Sequence, residues 1–287
     1  MSDWKRAINM LRSACRRAGV PAYWHKFSPK TYTVVQHAIM LVFCRRYCTS
    51  YTEFVELLPN TTLPDLLGLK AVPDEGTLCK EERRLRPYLA RASILLAKAA
   101  LPRRFVAGGD GTGLQMRRRS AYYIKRLGKR KARGFARLEL VVWKAYILAW
   151  ELRLLPKDEL AMLRNCWPQL PALPTVFVYD KKADCEAHHD WLEEQGVRSV
   201  APTRKRCRRG RHRKRLRDHF PTGLYRKRNR NEMVNAMLKH RYGDGLSAYS
   251  VKGRRSEVTT KILAHNLWQR LTALLSELFN AAGFKGS

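Results

Sequence analysis

Apolar residues recur at Trp4, Ile8, Leu11 and Cys15, at spacings of 4, 3 and 4, which predicts one apolar stripe on a helix otherwise loaded with Lys and Arg. Ser28-Pro29, an N-cap followed by a first-turn proline, predicts a second helix running to about Tyr47. That segment is apolar nearly all round, so it belongs in a core. Ser50-x-x-Glu53 predicts a capping box on a short helix that Pro59 stops. Leu63-Pro64 opens another turn and Gly68 closes it. A long helix from about Asp74 to Ala100, kinked at Pro87, follows. Residues 1–100 therefore read as all-helical.

After Leu101-Pro102 the pattern changes. RFVAGGDGTGLQ is a short β-type run meeting a glycine cluster around Asp110, SAYYIK carries β-favouring aromatics, and LELVVWKAYILAWEL is β-branched and aromatic with partial alternation. A helical piece (KDELAMLRN), the apolar strand TVFVYD, the helix CEAHHDWLEEQG and the strand VRSVAP come next. Three antiparallel strands followed by helix-strand alternation predict an α/β domain with one mixed sheet over residues 101–287. Trp143 and Trp150 fall in that sheet and are expected in its core. His188-His189 and Cys185 are expected on a solvated helix face, since no spaced partners make them a metal site. The stretch from about Ser256, VTTKILAHNLWQRLTALLSELF, has helical spacing and is expected to pack on the core of the same domain.

Charge changes the picture. The 287 residues contain 57 Lys+Arg against 24 Asp+Glu, a formal net charge of +33. Self-repulsion of that size opposes compactness and implies a polyanionic partner, nucleic acid first and an anionic membrane second. The longest apolar stretch, VVQHAIMLVFC from Val34 to Cys44, is too short to span a bilayer, which needs about 20 residues. No secretory h-region follows the N-terminus, and seven scattered cysteines form no CxxC pair, so reduced thiols in a cytoplasm are expected and a zinc site is not. With Arg83, Arg84 and Arg86 on short helices, the first hundred residues suit a helix-turn-helix-like DNA-binding region; a helical dimerisation bundle is the competing reading.

Ten of the fourteen positions from 204 to 217 are basic: Arg204, Lys205, Arg206, Arg208, Arg209, Arg211, Arg213, Lys214, Arg215 and Arg217. So dense a block is expected to stay solvated or disordered until it meets phosphates. The alternative is a merely solvated basic insertion. Downstream, YRKRNRNEMVNAMLK places Tyr225, Arg228, Glu232 and Lys239 within about 60° of arc if it is one helix, with Met233, Val234 and Met237 on the opposite, core-facing side. Taken alone, that is a charged face with an i, i+4 ion pair.

The spacing Y-(2)-R-(3)-E-(6)-K resembles the signature of DDE transposases from prokaryotic insertion sequences. The family also requires an aspartate on its first strand and another just after its fourth, and this chain supplies Asp110 in AGGDGTG and Asp180 in VFVYD. The resemblance covers the chain from about residue 101 onward. It implies a ribonuclease-H-like mixed-sheet catalytic domain, preceded by the helical DNA-binding region with its PDEGTL turn. Family members commonly carry D-x-G/A-Y at the second aspartate, whereas this chain reads Asp180-Lys181-Lys182-Ala183-Asp184 with no aromatic, and Asp184 competes for the role.

The resemblance implies that Asp110, Asp180 and Glu232 are the catalytic and metal-binding residues. Asp110 would bridge two Mg²⁺ ions, with Mn²⁺ as a substitute, while Asp180 binds one and Glu232 the other. Carboxylates grouped near a phosphodiester repel it unless divalent cations intervene, and such pairs serve in-line phosphoryl displacement. Arg228 and Lys239 would hold transposon-end phosphates, and Tyr225 would contact backbone phosphate or stack. The implied function is binding of insertion-sequence ends, strand cleavage and strand transfer on double-stranded DNA, both inverted repeats and target. No membrane is involved; a homodimer in a synaptic complex on nucleoid DNA in the cytoplasm is expected. A non-catalytic, transposase-derived DNA-binding protein and a metal-dependent nuclease that does not join are the alternatives.

Overall fold

The computed structural model describes residues 3–116, 134–154, 158–204 and 207–281. The strand expected over SAYYIK and the basic residues Lys205 and Arg206 lie outside the described residues. The chain divides into two compact units, Met1–Ala99 with His240–Ser287, and Ala100–Lys239.

The first unit is helical: α1 (Asp3–Arg17), α2 (Val34–Tyr47), α3 (Tyr51–Leu57), α4 (Leu63–Leu67), α5 (Glu75–Lys98) and the C-terminal helix Val251–Ala281. The stripe on α1 buries Ala7, Ile8, Leu11, Ala14 and Cys15. Helix α2 begins at Val34 and not at Ser28-Pro29. Thr33-x-x-Gln36 closes a full capping box, with the Gln36 N–H donating to Thr33 Oγ1 at 3.2 Å and the Thr33 N–H to Gln36 Oε1 at 2.6 Å. The Ser28 hydroxyl is instead used by the His25 N–H. Helix α5 runs unbroken for 24 residues through Pro87, capped by Asp74.

The C-terminal helix belongs to this unit, whereas the sequence pattern places it with the sheet. Ile262, Leu263 and Leu267 are fully buried, and Asn266 donates to Ser93 Oγ on α5 at 2.9 Å. A buried amide left without that partner would cost about 1–3 kcal/mol. The same unit buries the Arg45 guanidinium against Glu82, at 2.8 and 3.0 Å, and Lys261 against Glu257 at 3.0 Å.

The second unit carries the sheet: β1 (Val106–Met116), β2 (Phe135–Trp143), β3 (Tyr146–Arg153), β4 (Val176–Val178) and β5 (Arg198–Val200). They lie in the order β3-β2-β1-β4-β5. β1–β2 and β2–β3 are antiparallel, and β1–β4 and β4–β5 are parallel, so the sheet is mixed as the strand pattern predicts. Trp143 and Trp150 are buried in it. The unit's helices are α6 (Glu159–Cys166), α7 (Glu186–Glu194), α8 (Arg211–Asp218), α9 (Thr222–Tyr225) and α10 (Asn229–Tyr242), the last of which leads out of it. Among the described residues, no helix is long and apolar enough to cross a membrane.

Candidate active site

Alternate residues of a strand face opposite sides of a sheet. On β1 that puts Gly108 and Asp110 on one face and Gly109 and Gly111 on the other. The glycines are needed for close approach. A Cβ on Gly108 would lie 2.5 Å from the Asn231 amide of α10, and one on Gly109 would lie 2.6 Å from the Tyr179 ring. The run AGGDG is therefore a strand thin enough for a helix to dock on one side and an aromatic on the other, with a carboxylate left standing at the helix side.

Asp110 is held from two directions. Asn235 Nδ2 donates to its Oδ2 at 2.9 Å, and Arg228 lies 3.8 Å from its Oδ1. Burial raises the Asp110 carboxyl above the ordinary aspartate range. Arg228 and the Asn235 hydrogen bond pull it down, and the neighbouring negative charges of Asp180 and Glu232 push it up again; the net shift is upward. Asp180 stands just past β4 and caps the tight turn Lys181–Ala183, its Oδ1 accepting from the Lys182 N–H at 2.9 Å. Glu232 lies in the first turn of α10 and accepts from Arg228 at 2.6 Å. Asp110 thus feels the charges of Asp180 and Glu232, which come from two other elements, and one guanidinium lies between Asp110 and Glu232.

The four-residue face is not a single helix. Tyr225 ends α9 and Arg228 ends a 3₁₀ turn, Arg226–Arg228; only Glu232 and Lys239 belong to α10. The tighter 3₁₀ winding changes the angular step before Glu232, so the 100° spacing does not carry through. Tyr225 packs its ring on Phe220 at 5.2 Å, and burial raises its phenol. Lys239 is half-buried. The buried face of α10 is Asn231, Val234, Asn235 and Leu238, whereas Met233 is 47% exposed and Met237 half-buried. Asn231 donates to the Gly109 carbonyl at 3.0 Å. Polar residues occupy the buried stripe because the surface they meet is strand backbone and a carboxylate, not apolar side chains.

On the reverse face of β1, opposite Gly111, Glu139 is fully buried. It accepts from Tyr179 Oη at 2.8 Å, and its Oε2 has no partner among the described residues. Burial pushes its carboxyl up to about 8, against the Tyr179 hydrogen bond and Arg137, so it is substantially protonated at neutral pH. The sequence offers no sign of it, because a glutamate inside ARLELVV reads as the solvent side of an alternating strand.

The basic block is not disordered where it is described. Residues 211–218 form α8, which buries His212 and Leu216. Glu186 caps the helix by accepting from the His212 and Arg213 N–H groups at 2.8 and 3.3 Å. Asp184, whose side chain is fully buried, accepts from Arg213 Nε at 2.6 Å, Arg213 NH2 at 3.1 Å and the Arg204 N–H at 2.8 Å. Burial raises that carboxyl, but the arginine and backbone bonds outweigh it and hold it below the usual range. Asp184 is thereby occupied as a clamp and is not open to a ligand. Arg211 pairs with Glu193, and Arg217 with Asp218 and the Cys207 carbonyl. Acidic partners inside the fold, which a count of like charges does not include, account for the order. Arg208, Arg209, Lys214 and Arg215 are exposed and form no ion pair among the described residues.

His188 and His189 are buried, not solvated. Burial lowers His188 to about 4 and also lowers His189, whose Nδ1 lies 2.8 Å from Ser199 Oγ. Among the described residues, Glu186, Asp190 and His212 form a group whose possible metal-ligand atoms all lie within 4.8 Å of one another. Glu186 is already engaged as the α8 cap, and His212 Nε2 lies 3.3 Å from both Asp190 and Glu193, so the group is accounted for as a clasp between α7 and α8.

No family model matches the chain, and no curated protein does. Solved structures that are similar in part include the following two. One is a Mos1 transposase paired-end complex with left transposon end, at 12% identity and a TM-score of 0.25, covering 88% of this chain and 82% of that one. The other is a pre-cleavage Mos1 transpososome, at 12% identity and a TM-score of 0.21 with the same coverage.

Proposed function

We propose that this protein is a DDE-type DNA transposase of a prokaryotic insertion sequence, with Asp110, Asp180 and Glu232 as its catalytic carboxylates. The observation that carries the reading is that Asp110 has the charges of Asp180 and Glu232 beside it, with Arg228 between Asp110 and Glu232, in a chain where basic residues outnumber acidic ones by 57 to 24. Carboxylates from three separate elements are costly to gather unless a cation joins them. The sheet is read as ribonuclease-H-like, which its order β3-β2-β1-β4-β5 supports.

The donor set fits Mg²⁺, or Mn²⁺ in its place: all oxygen, two carboxylates partly open, and excess negative charge that burial already makes unfavourable at Asp110. Asp110, Asp180 and Glu232 would hold two such ions. The ions would supply charge neutralisation on the attacking and leaving oxygens of a phosphodiester displacement. Arg228, whose Nε is buried without a partner among the described residues, offers a planar guanidinium to a phosphate, with Lys239 and Tyr225 contacting the same backbone. Arg208, Arg209, Lys214 and Arg215, with Arg204, Lys205, Arg206, Arg211, Arg213 and Arg217 beside them, would track the duplex. Hydrolysis frees a 3′-OH at the transposon end, and that hydroxyl attacks a target phosphodiester. Residues 1–100 serve as the end-binding region, and a dimer brings two ends together on nucleoid DNA in the cytoplasm.

The test uses the full chain, Mg²⁺, a supercoiled target and duplexes carrying the sequences that flank the reading frame. Nicking at a fixed terminal position followed by joining supports a transposase. Cleavage without joining favours a nuclease, and binding alone favours a non-catalytic derivative.

A further inference from the structure

Asn235 is 8% exposed, and its two amide atoms have different fates. Nδ2 donates to Asp110 Oδ2 at 2.9 Å, while Oδ1 is buried with no partner among the described residues. The orientation is not arbitrary. An ionised carboxylate only accepts, so the NH₂ must face Asp110 and the carbonyl must face away. A buried acceptor without a donor costs about 1–3 kcal/mol, and more than nine in ten such groups in native proteins are satisfied. No group among the described residues supplies the missing donor. The unpaired oxygen belongs to the same amide that holds Asp110, on the helix face that also carries Asn231, whose amide docks α10 on the Gly109 carbonyl. Side-chain volume does not explain the choice either, since Val234 and Leu238 on the same buried stripe pack without polar atoms.

We infer that Asn235 is a positioning residue for a divalent cation at Asp110: Nδ2 fixes Oδ2 of that carboxylate, so that its Oδ1, which Arg228 faces at 3.8 Å, keeps one orientation toward an ion, and Asn235 Oδ1 would accept from a donor that arrives with the ion. The inference rests on the proposed active-site reading. It adds a residue outside the carboxylate triad, and it explains why polar side chains take core positions on α10. Partners of metal-ligating carboxylates in this role typically change metal affinity by about 10–100-fold when removed.

The test is Mn²⁺ binding by the full chain, followed by calorimetry and by the electron paramagnetic resonance spectrum of the bound ion, with thermal melting as a control. Asn235→Ala and Asn235→Leu, the second preserving volume, are expected to melt within a few degrees of wild type. Both should bind Mn²⁺ about 10–100-fold more weakly and give an altered spectrum at saturating metal. Met233→Ala, at an exposed position of the same helix, is expected to keep wild-type affinity. Wild-type affinity or an unchanged spectrum in a folded Asn235 variant overturns the inference, as does affinity lost only in step with unfolding. The active-site reading fails separately, if Asp110→Asn binds Mn²⁺ as tightly as wild type.

Discussion

Arg228 donates to Glu232 at 2.6 Å and reaches to 3.8 Å from Asp110, so one guanidinium lies between carboxylates that come from a strand and a helix. Two consequences follow from the shape of the group. It offsets part of the charge of both acids, and on the proposed reading it is the group that would turn toward a phosphate.

Arg228→Ala is expected to lower single-turnover cleavage of an end-bearing duplex about 10²-fold, the cost of losing one positioned electrostatic stabiliser. Arg228→Lys should recover little, because one ammonium cannot span two acids or bind phosphate in two-pronged fashion. Wild-type rates in the lysine variant would show that only the charge matters there.

The basic block divides by partner, and so should its variants. Replacing the four unpaired residues Arg208, Arg209, Lys214 and Arg215 by Gln is expected to flatten the slope of log K against log salt by about 3–4 units, with little change in melting temperature. Replacing Arg213 should instead lower the melting temperature, since it leaves the buried Asp184 carboxylate short of two hydrogen bonds. An unchanged salt slope in the fourfold variant would put those four residues off the DNA.

Glu139 gives a pH dependence of defined sign. Its carboxyl titrates at about 8 in the fold and near 4.5 in the unfolded chain, so between those values the folded state binds more protons. Stability contributed by this group is full below about 4.5 and is lost as pH rises toward about 8. Glu139→Gln keeps an acceptor for Tyr179 and removes the titration. In metal-free buffer its melting temperature should gain on wild type steadily from pH 5 to pH 8. A difference that stays constant across that range would mean Glu139 is charged throughout.

The chain's grammar showed much of this, and the reasons for the rest are physical. The α1 stripe, the cap at Ser50 and the mixed character of the sheet depend on local patterns. LELVVWKAYILAWEL, which reads as one strand, is instead the hairpin β2–β3; the turn at Lys144 carries neither Gly nor Pro to mark it. Asn231 and Asn235 escaped because an asparagine pair on a helix reads as surface unless one knows that the facing strand is glycine and backbone; their i, i+4 spacing on the Val234 side was the available signal. The C-terminal helix has an apolar face that fits either unit, and its packing on α2 and α5, Trp268 against Phe43 and Asn266 bonded to Ser93, decides between them. The order in the basic block depends on Asp184, Glu186 and Glu193, which precede it by many residues and could not be paired with it by inspection. His188-His189 reads as solvated because imidazoles are polar, yet β5 and α8 close over the second of them through Ser199 and the stacked His212.

The central claim is that Asp110 belongs to the chemistry and not to DNA recognition. The most direct measurement sets Asp110→Ala beside wild type on the same end-bearing duplex with Mg²⁺, reading end-binding and strand cleavage in parallel. Cleavage and joining abolished, with end-binding within a few-fold of wild type, is the predicted result. Cleavage at the wild-type rate, or loss of binding with cleavage retained on the fraction that binds, would contradict it.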